Sequence, residues 1–129
     1  MGDAEAILVI EDDAGVREAL SDFLLSVGFR VDQAGDGAEG LERLAARRPD
    51  LVLVDLLMPG MDGGQFLDRL RADAATRTLP AVLMTGDRDG GGAAAAADAV
   101  LRKPFELDEL LAVVRRLRPG PGDRGGRPA

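Results

Sequence analysis

The chain contains no cysteine, no histidine, no tryptophan and no tyrosine, and four phenylalanines are its only aromatic residues. Without cysteine there are no disulfides and no thiolate metal sites, which suits a cytoplasmic protein. Without histidine the commonest general base and metal ligand is missing, so any chemistry rests on carboxylates, hydroxyls, lysine and backbone. Positive charge is scarce: 16 Lys and Arg against 23 Asp and Glu leave a formal charge of −7. That balance repels nucleic acid and anionic membranes, and no basic cluster interrupts the periodic part of the chain. The N-terminal "MGDAEAILVIEDD" has too short an apolar run and too acidic a flank for a signal peptide. Ala6 also stands where a myristoylation motif needs Ser or Thr. Neither direct nucleic-acid binding nor membrane insertion is expected. What is present, 129 residues of which 46% are hydrophobic and 30% charged, suffices for one domain with a real core and not for two.

The apolar residues alternate between two periods. "AILVI" (6–10), "LVLV" (51–54) and "AVLMT" (81–85) are short continuous runs, as expected of strands covered on both faces. "FRVDQA" (29–34) alternates like a half-covered strand, and "DAVLRK" (98–103) predicts a fifth. Between them the spacing predicts helices. Val16, Leu20, Phe23, Leu24 and Val27 lie on one, stopped by Gly28. Leu41, Leu44 and Ala45 lie on a second, closed by Pro49, and Phe66, Leu67 and Leu70 on a third within 63–75. Leu107, Leu110, Leu111 and Val114 share one face of a last helix over 105–117, whose acids lead and whose arginines trail, as the helix dipole prefers. Strands alternating with helices predict an α/β fold with a doubly wound, five-stranded parallel sheet. The segment 119–129, rich in Gly, Pro and Arg, lacks apolar periodicity and is expected to be a disordered tail, leaving 1–118 as the domain.

In such a sheet ligands bind outside the carboxyl ends of the strands, so polar residues just past each strand should meet in one crevice. Glu11, Asp12 and Asp13 follow the first strand, Asp55 the third, Thr85 closes the fourth and Lys103 the fifth. Carboxylates converging there repel one another and call for a cation; hard oxygen ligands with a single lysine favour Mg²⁺. A metal beside one Asp suits phosphoryl chemistry, with the carboxylate attacking while metal and Lys neutralise growing charge and Thr donates a hydrogen bond.

On "ILVIEDD", "LVLVDLLMPGMDG", "LMTG" and "LRKPF", in that order, residues 6–117 resemble the receiver domain of bacterial two-component response regulators, the CheY-like, flavodoxin-like fold. The resemblance implies that Asp55 is the phosphoacceptor. It implies that Asp12 is a direct Mg²⁺ ligand, that Glu11 acts mainly through water, and that the Leu57 carbonyl is a backbone ligand. Thr85 and Lys103 would hold the phosphoryl group, and the Lys103–Pro104 bond would be cis, which costs little only before proline. A sensor histidine kinase or phosphotransfer protein supplies the phosphoryl group in that family, so a chain lacking His meets no obstacle. The output is a downstream protein target. Self-phosphorylation and self-dephosphorylation are then the only reactions, with no turnover of a free substrate. Residues two beyond the acceptor and two beyond the Thr influence water access in receivers, and here they are Leu57 and Asp87.

Plainer readings apply elsewhere. Asp13 and Asp62 read as helix caps. "GDGAEG" (35–40) matches a dinucleotide fingerprint, but the strand before it carries Arg30, Asp32 and Gln33, and Asp36 and Glu39 would face a pyrophosphate with negative charge. Three departures from the receiver pattern stand out. Lys103 follows Thr85 about one helical turn early, predicting a short fourth helix through "GGGAAAAAD"; Val100 stands where receivers usually carry an aromatic; and no effector domain follows, as in a stand-alone or excised receiver. The odd fourth-helix region leaves open an alternative, a docking module that works without phosphorylation.

Overall fold

Five short strands, all parallel, form one sheet in the order β2-β1-β3-β4-β5 in the computed structural model, which describes residues 5–86 and 91–117. In chain order they are β1 (Ala6–Ile10), α1 (Ala14–Ser26), β2 (Arg30–Ala34), α2 (Gly37–Ala46), β3 (Leu51–Asp55), α3 (Gly63–Ala72) and β4 (Ala81–Thr85). A 3₁₀ segment, Gly91–Ala96, precedes β5 (Ala99–Arg102) and α4 (Leu107–Leu117). Asp87 and the tail 119–129 lie outside the described residues.

Continuous apolar runs make the three central strands because both faces are covered. Leu51 and Leu53 join Ile7, Val9, Val82 and Met84 beneath α1 and α4, with Leu20, Leu24, Leu110 and Val114 pressed on them. Val52 and Val54 face the opposite way, joining Leu8, Ile10 and Leu83 beneath Phe66, Leu67 and Leu70 of α3. One-residue alternation between two buried layers follows from the strand period of two. The outer strands β2 and β5 are less covered, with Arg30, Asp32 and Gln33 half-buried and Val100 and Arg102 exposed.

Where boundaries differ from the sequence reading, local hydrogen bonds explain it. The third helix stops at Ala72 rather than 75 because Asp73 leaves helical geometry. Its carboxylate accepts from the Ala75 amide at 2.9 Å, and the Thr76 hydroxyl donates to the Leu70 carbonyl at 2.8 Å. The last helix starts at Leu107, since the Glu109 side chain reaches back to accept from the Glu106 amide at 2.8 Å. Val16 and Leu107, expected on core faces, are exposed, as is Ala45. Val16 and Leu107 occupy first turns that overhang the sheet, so they line an open apolar groove with Leu20, Pro104 and Phe105 instead of the core.

The fourth helix is reduced to the six-residue 3₁₀ segment. Alanines bury little, and Ala93 and Ala96 suffice only to touch the α3 layer. Arg71 fastens the segment. It donates to the carbonyls of Ala96 at 2.9 Å, Arg77 at 2.9 Å and Leu79 at 2.7 Å, and pairs with Asp98 at 3.0 Å.

Candidate functional site

Strand ends supply the site. β1 runs out into Glu11, which is 2% exposed, and then into the exposed Asp12. Asp13 turns away: its side chain accepts from the Val16 amide at 3.0 Å and caps α1, as the sequence suggested. Removing Asp13 to a cap leaves two acids at the strand end. β3 ends on Asp55, 5% exposed. The turn after it is tight. Gly63 opens α3 so close beneath that a Cβ there would lie 2.5 Å from the Asp55 carbonyl oxygen, and Asp62 with Gln65 forms a reciprocal cap. Asp62 is therefore a capping residue, as expected, and Gly63 is required by close approach.

Carboxylate oxygens of Glu11, Asp12 and Asp55 lie within 4.8 Å of one another. Lys103 faces them from the end of β5, its Nζ 2.9 Å from Asp55 Oδ1 and 3.2 Å from Glu11 Oε1. Its backbone is set by a 2.8 Å bond from its amide to the Thr85 carbonyl, and the Lys103–Pro104 bond is cis. Thr85 is buried at the end of β4, opposite Arg102 in the register. Leu57 lies two residues past β3 and is 74% exposed. Glu11, Asp12, Asp55 and Lys103 thus meet; Asp13 and Asp62 do not join them.

Electrostatics follow the crowding. Burial pushes the Glu11 carboxyl above its usual range and nearby Asp55 adds to the effect, while Lys103 only partly offsets them. Burial alone would push Lys103 down, yet its bonds to Asp55 and its attraction to both carboxylates outweigh that and hold it above its ordinary value. Three acids against one cation leave the cluster negative, and all its donors are hard oxygens. That composition fits a divalent cation of the Mg²⁺ or Ca²⁺ kind.

Residues 7–115 match the response regulator receiver domain family. The chain belongs to that family. This receiver is 43% identical over 123 residues to the response regulator Rre1 of Synechocystis sp., an alignment covering 91% of the chain and 53% of Rre1. A putative response regulator from Chloroflexus aurantiacus has the same fold with a TM-score of 0.83 and 35% identity, covering 88% of this chain and 96% of that one. TrrA from Thermotoga maritima, solved in complex with Mg²⁺ and BeF, aligns with a TM-score of 0.80 and 30% identity, covering 87% and 97%. The receiver spans about half the length of relatives such as Rre1. Its role is the phosphoacceptor role of two-component signalling. No helix among the described residues is long and apolar enough to cross a membrane.

The "GDGAEG" segment is disposed of by its own bonds: Asp36 caps α2 through the Glu39 amide, and Glu39 accepts from the Gly35 amide at 2.8 Å. Those acids hold a helix terminus and offer nothing to a pyrophosphate.

Arg17 is not among the polar residues that the strand ends mark in the sequence, yet it donates to the Glu11 carbonyl at 2.8 Å. On α1 the buried stripe runs Leu20, Ser21, Leu24, and Arg17 extends it by one turn toward the site. A charged residue continuing a sheet-facing stripe was the available signal.

Proposed function

We propose that Asp55 is the phosphoacceptor, charged in an Mg²⁺-dependent reaction by a sensor histidine kinase or phosphotransfer protein, and that the phosphorylated receiver signals to a downstream protein. The observation that carries this reading is the Lys103 ammonium, 2.9 Å from Asp55 and 3.2 Å from Glu11, facing a cluster of three acids. Glu11, Asp12, Asp55 and the Leu57 carbonyl would hold the ion, Glu11 mainly through water. An ion bound there would supply positive charge to offset the negative charge growing on the phosphoryl oxygens.

Each protein group then has a task. An Asp55 carboxylate oxygen attacks phosphorus, a P–O bond forms, and the donor's P–N bond breaks, with the donor nitrogen leaving. Lys103 is released from Asp55 by that event and follows the new charge to a phosphoryl oxygen. Thr85 donates its hydroxyl to another oxygen. Burial of Glu11 and Asp55 keeps competing water from crowding the acceptor, while exposed Asp12 marks the open side. Loss of phosphate is self-catalysed attack by water on the acyl phosphate, with no free substrate turned over.

Intact mass after incubation with Mg²⁺ and acetyl phosphate tests the reading. Wild type should gain one phosphoryl group and Asp55→Asn none, with its circular dichroism unchanged. Labelling of the mutant at the wild-type rate would overturn the assignment.

A further inference from the structure

We infer that Arg17 is a positioning residue for the metal site: by clamping the Glu11 carbonyl it fixes the peptide that aims Asp12. The inference rests on the acid cluster being a Mg²⁺ site, as proposed above.

The three acids are held in different ways. Asp55 is anchored by Lys103 and by its place in β3, paired with Met84. Glu11 is anchored by Lys103 and by the Asp13 amide, which donates to it at 3.3 Å. Asp12 has no such anchor: among the described residues no hydrogen bond or ion pair holds its side chain, and it is exposed. Its direction is therefore set by the backbone on either side. On the C-terminal side the Asp13 cap fixes the start of α1. On the N-terminal side the peptide between Glu11 and Asp12 is where β1 leaves the sheet. The Glu11 amide still donates to the Ala34 carbonyl at 3.1 Å, but β2 ends at Ala34 and no strand amide among the described residues meets the Glu11 carbonyl. The guanidinium does. Arg17 Nη1 donates to that carbonyl at 2.8 Å, while Nε donates to Gln33 Oε1 at 3.2 Å.

Arg17 is thus tied at two points, half-buried, and uses the planar fork that lysine lacks. Residues that orient ligands from behind typically change metal affinity about 10–100-fold when removed. The sign of the effect separates positioning from charge. Simple electrostatics predicts that deleting a cation beside an acidic cluster tightens Mg²⁺ binding. Positioning predicts that it weakens.

The experiment titrates MgCl₂ alone into wild type, Arg17→Met, Arg17→Lys and Gln33→Ala, following amide chemical shifts, with urea midpoints measured in parallel. Arg17→Met should raise the Mg²⁺ Kd about ten-fold. Arg17→Lys, which keeps the charge with a single donor head, should fall between. Gln33→Ala removes only the second anchor and leaves every charge in place, so it should also weaken binding. Acetyl phosphate labelling should return to the wild-type rate at saturating Mg²⁺ in all three. A role confined to stability would lower the urea midpoints and leave Kd unchanged, and that result overturns the inference. So does tighter binding in Arg17→Met. Should Arg17→Met fail to fold, Arg17→Lys and Gln33→Ala decide by the same criterion. If wild type itself fails to bind Mg²⁺, the metal-site reading falls and the inference with it; if only the variants match wild type, the inference alone falls.

Discussion

Asp98 brackets the start of β4: its amide donates to the Ala81 carbonyl at 2.8 Å, its carboxylate accepts from the Ala81 amide at 2.8 Å, and the same carboxylate pairs with Arg71 at 3.0 Å. The chain between Thr85 and β5 is therefore anchored at its far end. Arg71→Ala strips one donor from several carbonyls at once, and unsatisfied partly buried acceptors cost about 1–3 kcal/mol. The urea midpoint should drop accordingly, with amide exchange rising most at Ala97 and Asp98. An unchanged midpoint would show the clasp to be idle.

That anchoring bears on how phosphorylation is reported. Val100 is 36% exposed on an edge strand, and a branched side chain with one stiff χ1 moves little apolar surface. We predict that beryllofluoride with Mg²⁺ shifts the amides of residues 91–98 more than those of Val100 and α4, the glycines giving the softest path. Largest shifts at Val100 and α4, with 91–97 still, would refute it.

Lys103→Met leaves the Glu11 and Asp55 carboxylates buried without their cation. Stranding a fully buried charge costs about 3–5 kcal/mol; because the Lys103 side chain is 34% exposed, solvent screening reduces the expectation to roughly 2 kcal/mol. The loss should depend on pH. Glu11 already sits above its ordinary value of 4.5, and losing Lys103 raises it further. A carboxyl raised on folding stabilises below its unfolded pKa and gives that up as pH rises through the folded one. The deficit relative to wild type should be least near the ordinary Glu value and grow toward neutrality. Urea midpoints across that range check it, and a deficit that grows on acidification would contradict it.

Asp12→Ala relieves repulsion in the metal-free cluster and removes a proposed Mg²⁺ ligand. Its Tm without metal should exceed wild type by a few degrees, about 1 kcal/mol in a domain of this size. Added Mg²⁺ should then raise Tm in wild type and scarcely at all in the mutant, since only native-state binding stabilises. A metal-free mutant melting below wild type would argue that the acids are not crowded.

Leu57 offers no hydrogen bond to a water approaching the acceptor. Leu57→Asn should hasten loss of phosphate several-fold while leaving labelling by acetyl phosphate little changed. The check is the decay of the phosphorylated mass after the donor is removed; decay at the wild-type rate or slower would exclude the role.

The site was legible because it depends on strand ends. Continuous runs such as "LVLV" fix where a parallel strand stops, and topology alone then gathers Glu11, Asp12, Asp55 and Lys103. Caps were equally legible, since Asp13 and Asp62 act within one turn of their own helices. Long-range polar contacts were not. Arg17 meets Gln33 and Arg71 meets Asp98 only after the sheet has formed; the stripe on α1 marks Arg17 itself, but nothing local names either partner. First-turn residues misled for a related reason: Val16 and Leu107 carry the helical period, but the sheet ends before it reaches them.

The lightly covered outer strands have a consequence for life at high concentration. An uncovered strand edge is a template on which another chain can add a strand. Here one edge is five residues long and carries Arg30 and Asp32, the latter held by Arg47 at 3.0 Å; the other is four residues long and ends in exposed Arg102. An incoming strand would find a short ladder and would have to bring partners for these charges. The apolar runs that could aggregate are the three innermost strands, already paired on both sides.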